Sequence, residues 1–215
     1  MSTTINEIEA RVLGSLAEKQ LTTPEYYPLT LNALMAACNQ KSNRDPVMSL
    51  GESEILAAID SLREKNLVYL YYGSTSRTVK YKHMMPQIFE LEPEGIAVMT
   101  LLLLRGPQTA GEIRGRADRL HEFGGIGKVQ QALDELAARP EPLVTKLDRQ
   151  PGQKEQRYAH LLSGPIDQAA MAVERPIAAT GGAARIDELE AKVAELSQGL
   201  EQLRDEFAQF RRQFE

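Results

Sequence analysis

Residues 52–83 read ESEILAAIDSLREKNLVYLYYGSTSRTVKYKH, and two different periodicities meet within this stretch. Its apolar residues first recur at helical spacing, as Ile55, Leu56, Ile59 and Leu62. This spacing predicts a helix, and Ser53 is expected to cap it. Residues 68–72 and 78–83 are then rich in β-branched and aromatic side chains and flank the turn-forming residues 73–76. The stretch therefore predicts a helix followed by a β-hairpin.

Two further helices are predicted upstream of this stretch. The first is expected to end near Lys19, and its apolar residues are Ile5, Ile8, Val12 and Leu16. The second follows Pro28, and its apolar residues are Leu31, Leu34, Met35 and Cys38. Residues 1–90 thus contain three helices and then a hairpin. This is the order of a winged helix, a helix-turn-helix with an added β-wing.

The same order recurs in residues 91–164. A helix starting at Glu94 is expected to end at residues 105–107, and Thr109 with Glu112 predicts the capping box of the next helix. The inward residues of that next helix are Ile113, Ala117 and Leu120. The third helix is marked by Val129, Ala132, Leu133 and Leu136, and the hairpin strands by residues 143–147 and 156–162. Equivalent positions of the two copies include Thr30 and Thr109, Leu34 and Ile113, and Tyr81 and Tyr158.

The predicted fold class is mainly α with small β-hairpins (α+β). Two tandem winged-helix domains are expected over residues 1–90 and 91–164, followed by a linker over 165–184 and a coiled-coil helix over 185–213. In the tail, apolar residues alternate spacings of three and four, as in a coiled coil: Ile186, Leu189, Val193, Leu196, Leu200, Leu203, Phe207 and Phe210. The tail predicts a homodimer through this helix. The alternative is one amphipathic helix packed on its own domain.

The net charge of −5 is distributed unevenly. Residues 165–215 hold 6 Lys and Arg against 10 Asp and Glu, while residues 1–90 hold 9 against 10 and residues 91–164 hold 10 against 10. The tail therefore carries most of the negative charge. A local basic patch remains compatible with the near-neutral body.

Other bulk features limit the class of protein. No run of roughly 18 apolar residues is present, so no membrane partner is expected. Residues 1–9 lack the basic and apolar regions of a signal peptide, which predicts a cytoplasmic protein. The single cysteine, Cys38, excludes an internal disulfide framework and a cysteine-rich zinc site.

No enzymatic constellation is evident, and no catalytic residue, cofactor or metal is predicted. His83 and His160 are expected to be partly exposed surface imidazoles, and His121 to lie at a helix end. Residues 124–127 (GGIG) lack the preceding strand of a dinucleotide-binding fingerprint and are expected to form a turn. Cys38 lies on an apolar helix face, which predicts a buried packing thiol.

Cationic and amide side chains collect in the turns before the third helices, in the hairpins and at the start of the second third helix. Backbone contacts to DNA come from such segments in winged helices. The candidate nucleic-acid-binding residues are Lys41, Asn43, Arg44, Arg77, Lys80, Lys82, Arg114, Arg116, Arg119, Lys128, Gln131, Lys154 and Arg157. The alternative is that these cations form an ordinary solvated surface.

The third helices of the two copies differ in charge. The first carries carboxylates that phosphates would repel, at Glu52, Glu54, Asp60 and Glu64. The second begins with Lys128, Gln130 and Gln131, and glutamine can pair with adenine in the major groove. The third helix of copy two is therefore expected to contact DNA bases, whereas copy one is expected to contact a protein partner.

Four motifs carry a resemblance to a known family. They are residues 22–30 (TTPEYYPLT), 37–46 (ACNQKSNRDP), 104–109 (LRGPQT) and 111–114 (GEIR). With these motifs, residues 5–163 resemble the bacterial YceH family. The resemblance implies tandem winged-helix domains in a cytoplasmic bacterial protein, and it implies no particular activity, ligand or catalytic residue.

Two functional interpretations follow. One is a dimeric DNA-binding protein of transcription-regulator type, with double-stranded DNA as its partner and with basic turns and wings on the phosphates. The other is a scaffold that docks protein partners on its winged helices and coiled coil, which the acidic third helix of copy one favours.

Overall fold

The computed structural model describes residues 4–72, 78–149 and 155–166. Within these ranges the chain is a mixed α/β protein with small antiparallel sheets, and the ranges belong to one compact unit, Met1–Gln168. The predicted coiled-coil helix, including its seam residues from Ile186 to Phe210, lies outside the described residues. So does the predicted linker from residue 167 onward.

The first half contains three longer helices and a three-stranded sheet. Its elements are α1 (Glu7–Thr22), a short 3-10 helix (Pro24–Tyr26), β1 (Leu29–Thr30), α2 (Leu31–Cys38), α3 (Glu52–Glu64), β2 (Val68–Tyr72), β3 (Val79–His83) and α4 (Met85–Ile88). The strand order is β1-β3-β2, so β3 is central and β2 is an edge. Leu29 pairs with Tyr81 across β1 and β3.

The second half repeats this order with shorter strands. Its elements are α5 (Pro93–Arg105), α6 (Ala110–Ala117), α7 (Ile126–Ala137), β4 (Val144–Lys146) and β5 (Tyr158–His160). β4 and β5 pair antiparallel, and an isolated bridge joins Gln108 to Tyr158. This bridge corresponds to the Leu29–Tyr81 pair of the first half. The order of helices and strands therefore repeats as predicted. In the second half, the isolated bridge at Gln108 takes the place of strand β1.

Several local predictions are confirmed and a few are wrong. Helix α2 has the predicted apolar face, and Thr109 and Glu112 form the capping box, with the Glu112 N–H donating to the Thr109 hydroxyl at 3.1 Å. Ser53 is not a cap, because α3 starts at Glu52 and the Ile55 N–H already donates to the Gly51 carbonyl. Leu120 is predicted to lie within α6, but α6 ends at Ala117. Leu120 therefore lies in the turn after the helix, where its side chain is still buried.

One hydrophobic core extends through both halves, and α1 and α5 meet within it. Gly14 of α1 lies directly against α5. A Cβ at this position would lie 2.9 Å from Cγ of Leu104 and 3.1 Å from Cβ of Leu103. The close approach of the two helices therefore requires glycine here.

Candidate nucleic-acid interface

The first hairpin, formed by β2 and β3, presents two tyrosines and two lysines on one face. Tyr69 lies opposite Lys82, and Tyr71 lies opposite Lys80, in the antiparallel register. Directly opposite residues point to the same side of a sheet, so these four side chains share one face. We call it the tyrosine–lysine face.

The opposite face of the hairpin packs on the core. Tyr81 and His83 of β3 are buried, whereas Lys80 and Lys82, which alternate with them along the strand, are only partly buried. This confirms the predicted alternation of cations and apolar residues along the strand. His83 is 2% exposed, so the prediction of a surface imidazole is wrong for it. Burial first, and Lys82 second, lower the pKa of His83 to about 4.

The lysines of this face are free of carboxylates. Among the described residues, neither Lys80 nor Lys82 forms an ion pair or a side-chain hydrogen bond, and β2 offers them tyrosines rather than acids. Tyr69 is 62% exposed and Tyr71 is 45% exposed. Neither tyrosine is among the site residues predicted from the sequence, although the period-two pattern that selected the lysines of β3 also runs through β2.

The connection between α2 and α3 contains three predicted site residues with different surroundings. Lys41 is exposed, and Asn43 is half-buried in the left-handed region at φ 58°. Arg44 is 4% exposed, and its guanidinium donates to the carbonyl oxygen of Ala37 at 2.9 Å. The prediction that Arg44 contacts phosphate is therefore corrected, because a buried guanidinium with internal acceptors has no free donor to offer a ligand.

Glu18 explains why Arg44 is buried. Its Oε2 accepts from Nη2 of Arg44 at 2.6 Å, and its Oε1 accepts from Nη2 of Arg119 at 2.6 Å. Nζ of Lys19 lies 3.8 Å from Oε2 of Glu18. Burial would raise the pKa of this carboxyl, but Arg44, Arg119 and Lys19 hold it below its ordinary value. We call these four residues the Glu18 cluster.

The remaining arginines near α6 are largely engaged as well. Arg116 donates to the side-chain oxygen of Gln108 at 2.6 Å, and Arg157 donates to the Pro107 carbonyl at 2.8 Å. Both also pair with Glu112, at 3.7 and 3.3 Å. Arg114 is exposed. Arg116 and Arg157 are thus paired within the protein although their side chains stay 33% and 27% exposed, and Arg114 is the more available cation.

The third helices keep the contrast that the sequence predicts. Lys128 and Gln131 are exposed near the start of α7. Nζ of Lys128 donates to Oε1 of Gln131 at 3.3 Å, and Nε2 of Gln131 donates to Oε1 of Glu135 at 2.9 Å. On α3 the carboxylates are all exposed, at Glu52, Glu54, Asp60 and Glu64. Helix α3 is therefore unsuited to lie against phosphates, whereas α7 exposes Lys128 and Gln131, which carry no negative charge.

Two predicted site residues, Arg77 and Lys154, lie outside the described ranges. Within those ranges no group of three His, Cys, Asp or Glu side chains is placed to hold a metal ion. Cys38 is buried as predicted, and burial raises the pKa of its thiol to about 11. No helix of the described residues has the length and apolar character to cross a membrane.

Comparisons with known proteins place the chain in a family. Residues 5–153 match the family model described as "Protein of unknown function, DUF480". A UPF0502 protein of Geobacter sulfurreducens is 48% identical, and one of Pelobacter propionicus is 49% identical, each over the full length of both chains. A UPF0502 protein of Geobacter metallireducens is 56% identical over 76% of this chain and 74% of its own. The chain belongs to this bacterial family.

Proposed function

We propose that this protein is a non-enzymatic, cytoplasmic winged-helix protein that binds DNA, of transcription-regulator type. Each half has three helices followed by an antiparallel hairpin, which fits the tandem winged helices that the YceH resemblance implies. The hairpins are then the wings. The observation that carries the proposal is the tyrosine–lysine face, because its two cations have no carboxylate partner among the described residues and are available to phosphates.

The second half contributes differently in this proposal. Lys128 and Gln131 lie in the first two turns of α7, where a recognition helix contacts base edges. Arg114 adds an exposed cation on α6. Arg44 and Arg119 act within the protein, so the interface is smaller than the number of arginines suggests.

Titration of a labelled random duplex by fluorescence anisotropy tests the proposal. We expect binding at micromolar protein in about 50 mM salt, weakening steeply as salt rises. Lys80→Gln with Lys82→Gln should reduce the slope of log affinity against log salt by about 1.8, or about 0.9 for each lost phosphate contact. Arg63→Gln is the control, because it removes one cation from the acidic helix α3. No binding by the wild type, or equal slopes in all three proteins, contradicts the proposal.

A protein-docking scaffold is the second candidate, and a specific surface favours it. The free edge of β2 borders an open groove of about 1030 Å³ between α3 and α4. Its lining combines exposed Tyr72 and Ile88 with the carboxylates Asp60 and Glu64. An edge strand beside apolar side chains can accept an extended segment of another protein. Capture of a stoichiometric protein that survives nuclease, and that Tyr72→Asp with Ile88→Asp abolishes, supports this candidate.

We further propose that the chain forms a homodimer through the helix predicted over residues 185–213. Eight apolar residues in strict heptad spacing support this proposal. Sedimentation equilibrium of the full chain should give a dimer, and truncation after Thr180 should give a monomer. A monomeric full chain contradicts the proposal and leaves the DNA titration unaffected.

A further inference from the structure

The tyrosine–lysine face has a feature that phosphate binding alone does not require. Two tyrosines, Tyr69 and Tyr71, stay 62% and 45% exposed although burial of their apolar surface would be favourable. Lysines need no aromatic neighbour to attract a phosphate. The rings therefore offer a second kind of contact, through their flat faces.

The register fixes the layout of this face. Tyr69 and Tyr71 are two residues apart on β2, so their Cα atoms are about 6.8 Å apart along the strand. Lys80 and Lys82 have the same spacing on β3, directly across from the rings. A row of rings thus runs beside a row of ammonium groups. A polymer that alternates flat apolar groups with negative charges matches both rows.

A DNA duplex does not present its bases to such a surface. Within a duplex each base is covered by its neighbours, and charges follow every ~3.4 Å along one strand. Rings about 6.8 Å apart reach consecutive bases only when the bases are unstacked and splayed. In single strands, bases stack on aromatic side chains while cations track the backbone.

We propose that the tyrosine–lysine face binds unpaired DNA, with bases stacked on Tyr69 and Tyr71 and phosphates held by Lys80 and Lys82. The inference rests on the proposed DNA-binding function and names its substrate at this site. Exposed Tyr72 follows on the same strand but points to the other face of the hairpin, so it takes no part.

Anisotropy titrations of the full chain with a labelled 12-nucleotide oligo-dT, a duplex of the same length and the matching oligo-U RNA test this inference. Oligo-dT should bind more tightly than the duplex and at least as tightly as the RNA. Tyr69→Ala and Tyr71→Ala should each weaken oligo-dT binding about five- to 100-fold. Both should change duplex binding less than twofold. Tyr72→Ala, the matched control, should leave oligo-dT binding unchanged.

The double variant Y69F/Y71F separates stacking from folding effects. It keeps both rings, so it should retain oligo-dT affinity within about threefold. The chain has no tryptophan and seven tyrosines, so its intrinsic emission comes from tyrosine. Oligo-dT should quench that emission in the wild type and much less in Y69F/Y71F. If an alanine variant loses helical circular dichroism, the oligo-dT affinity and the emission quenching of Y69F/Y71F decide whether bases stack on these rings.

Different failures overturn different statements. If the duplex binds as tightly as oligo-dT and the tyrosine variants match the wild type, while K80Q/K82Q weakens binding, DNA binding stands and the stacking site is wrong. If RNA binds tenfold more tightly than oligo-dT, the assignment to DNA is wrong. If no nucleic acid binds, the proposed function fails and this inference fails with it.

Discussion

The Glu18 cluster and the tyrosine–lysine face contain the same kinds of cation in opposite surroundings. In the cluster, one buried carboxylate holds Arg44 and Arg119 at 2.6 Å each. On the hairpin, the β2 residues opposite Lys80 and Lys82 are tyrosines, and the β1 residue opposite Lys80 is Thr30, none of which provides a countercharge. The position of carboxylates, more than the number of cations, therefore determines which basic residues are available to a ligand. Three of the four predictions below test this contrast and one tests the buried face of the hairpin; they run from the largest expected effect to the smallest.

Glu18→Gln should lower the free energy of unfolding by about 3–5 kcal/mol, since it leaves the buried guanidinium of Arg44 without a countercharge. Urea denaturation followed by circular dichroism measures the loss. Asp60→Asn breaks the exposed pair with Arg63 and should cost no more than about 1 kcal/mol. Equal losses in the two variants would show that the cluster is no stronger than a surface ion pair.

His83 gives the hairpin a pH dependence of its own. Its pKa is about 4 in the folded protein and 6.5 when exposed, so below pH 6.5 the unfolded chain binds the proton that the folded protein excludes. His83 alone should therefore lower the stability as the pH drops from 6.5 towards 4, by about 1.4 kcal/mol per pH unit and about 3 kcal/mol in all. Burial also lowers the pKa of His160 to about 4, so the wild-type protein should lose more than this. Urea midpoints across this range measure it.

A matched variant isolates this contribution. His83→Leu removes the titrating group and the two ring nitrogens that have no hydrogen-bond partner in the described structure. The stability of the variant should fall less steeply over the same pH range. Identical pH profiles for the variant and the wild type would exclude His83 as the source. The contribution of Glu18 is lost at lower pH, because its pKa lies below the ordinary carboxyl value.

Arg119→Gln should cost only about 0.5–1 kcal/mol, although its guanidinium lies as close to Glu18 as that of Arg44. Its side chain is 46% exposed, so solvent screens the pair, and Glu18 keeps Arg44 as its partner. Urea denaturation beside Glu18→Gln measures the difference. A loss equal to that of Glu18→Gln would mean that the two arginines are energetically equivalent.

Lys80→Gln with Lys82→Gln should change the free energy of unfolding by no more than about 0.5 kcal/mol, because neither lysine has an internal partner among the described residues. The same variant should weaken DNA binding, as described above. Thermal melts and anisotropy on one protein preparation provide both values. A large stability loss would place these lysines in the same structural class as Arg44.

Local patterns in the sequence predicted most of the architecture. The apolar spacing of residues 31–38 and the capping box at Thr109 depend on neighbours within one or two helical turns, so sequence reasoning found both. Arg44 was misassigned because its partner Glu18 belongs to a different helix, and no periodicity links the two. Only the tertiary fold brings a carboxylate to that arginine. Sequence alone therefore overestimated the basic surface.

The tyrosines of β2 were missed for another reason. The alternation of Lys80 and Lys82 was evident in β3, but the register that sets Tyr69 opposite Lys82 depends on strand pairing. Period two assigns residues to faces within one strand. It does not say which faces of two strands coincide. Pairing Val68 with His83 resolves this, and the combined face then becomes apparent.

The contact at Gly14 has a consequence for anyone who wishes to divide the protein. Where α1 meets α5 there is no room for a single methyl group, so the two repeated halves share buried surface that neither can cover alone. A duplicated motif usually suggests modules that can be exchanged or grafted. Here each half expressed by itself would expose to solvent the apolar surface that the other half covers, and would tend to aggregate. The two halves are therefore expected to fold, and to be engineered, only as one unit.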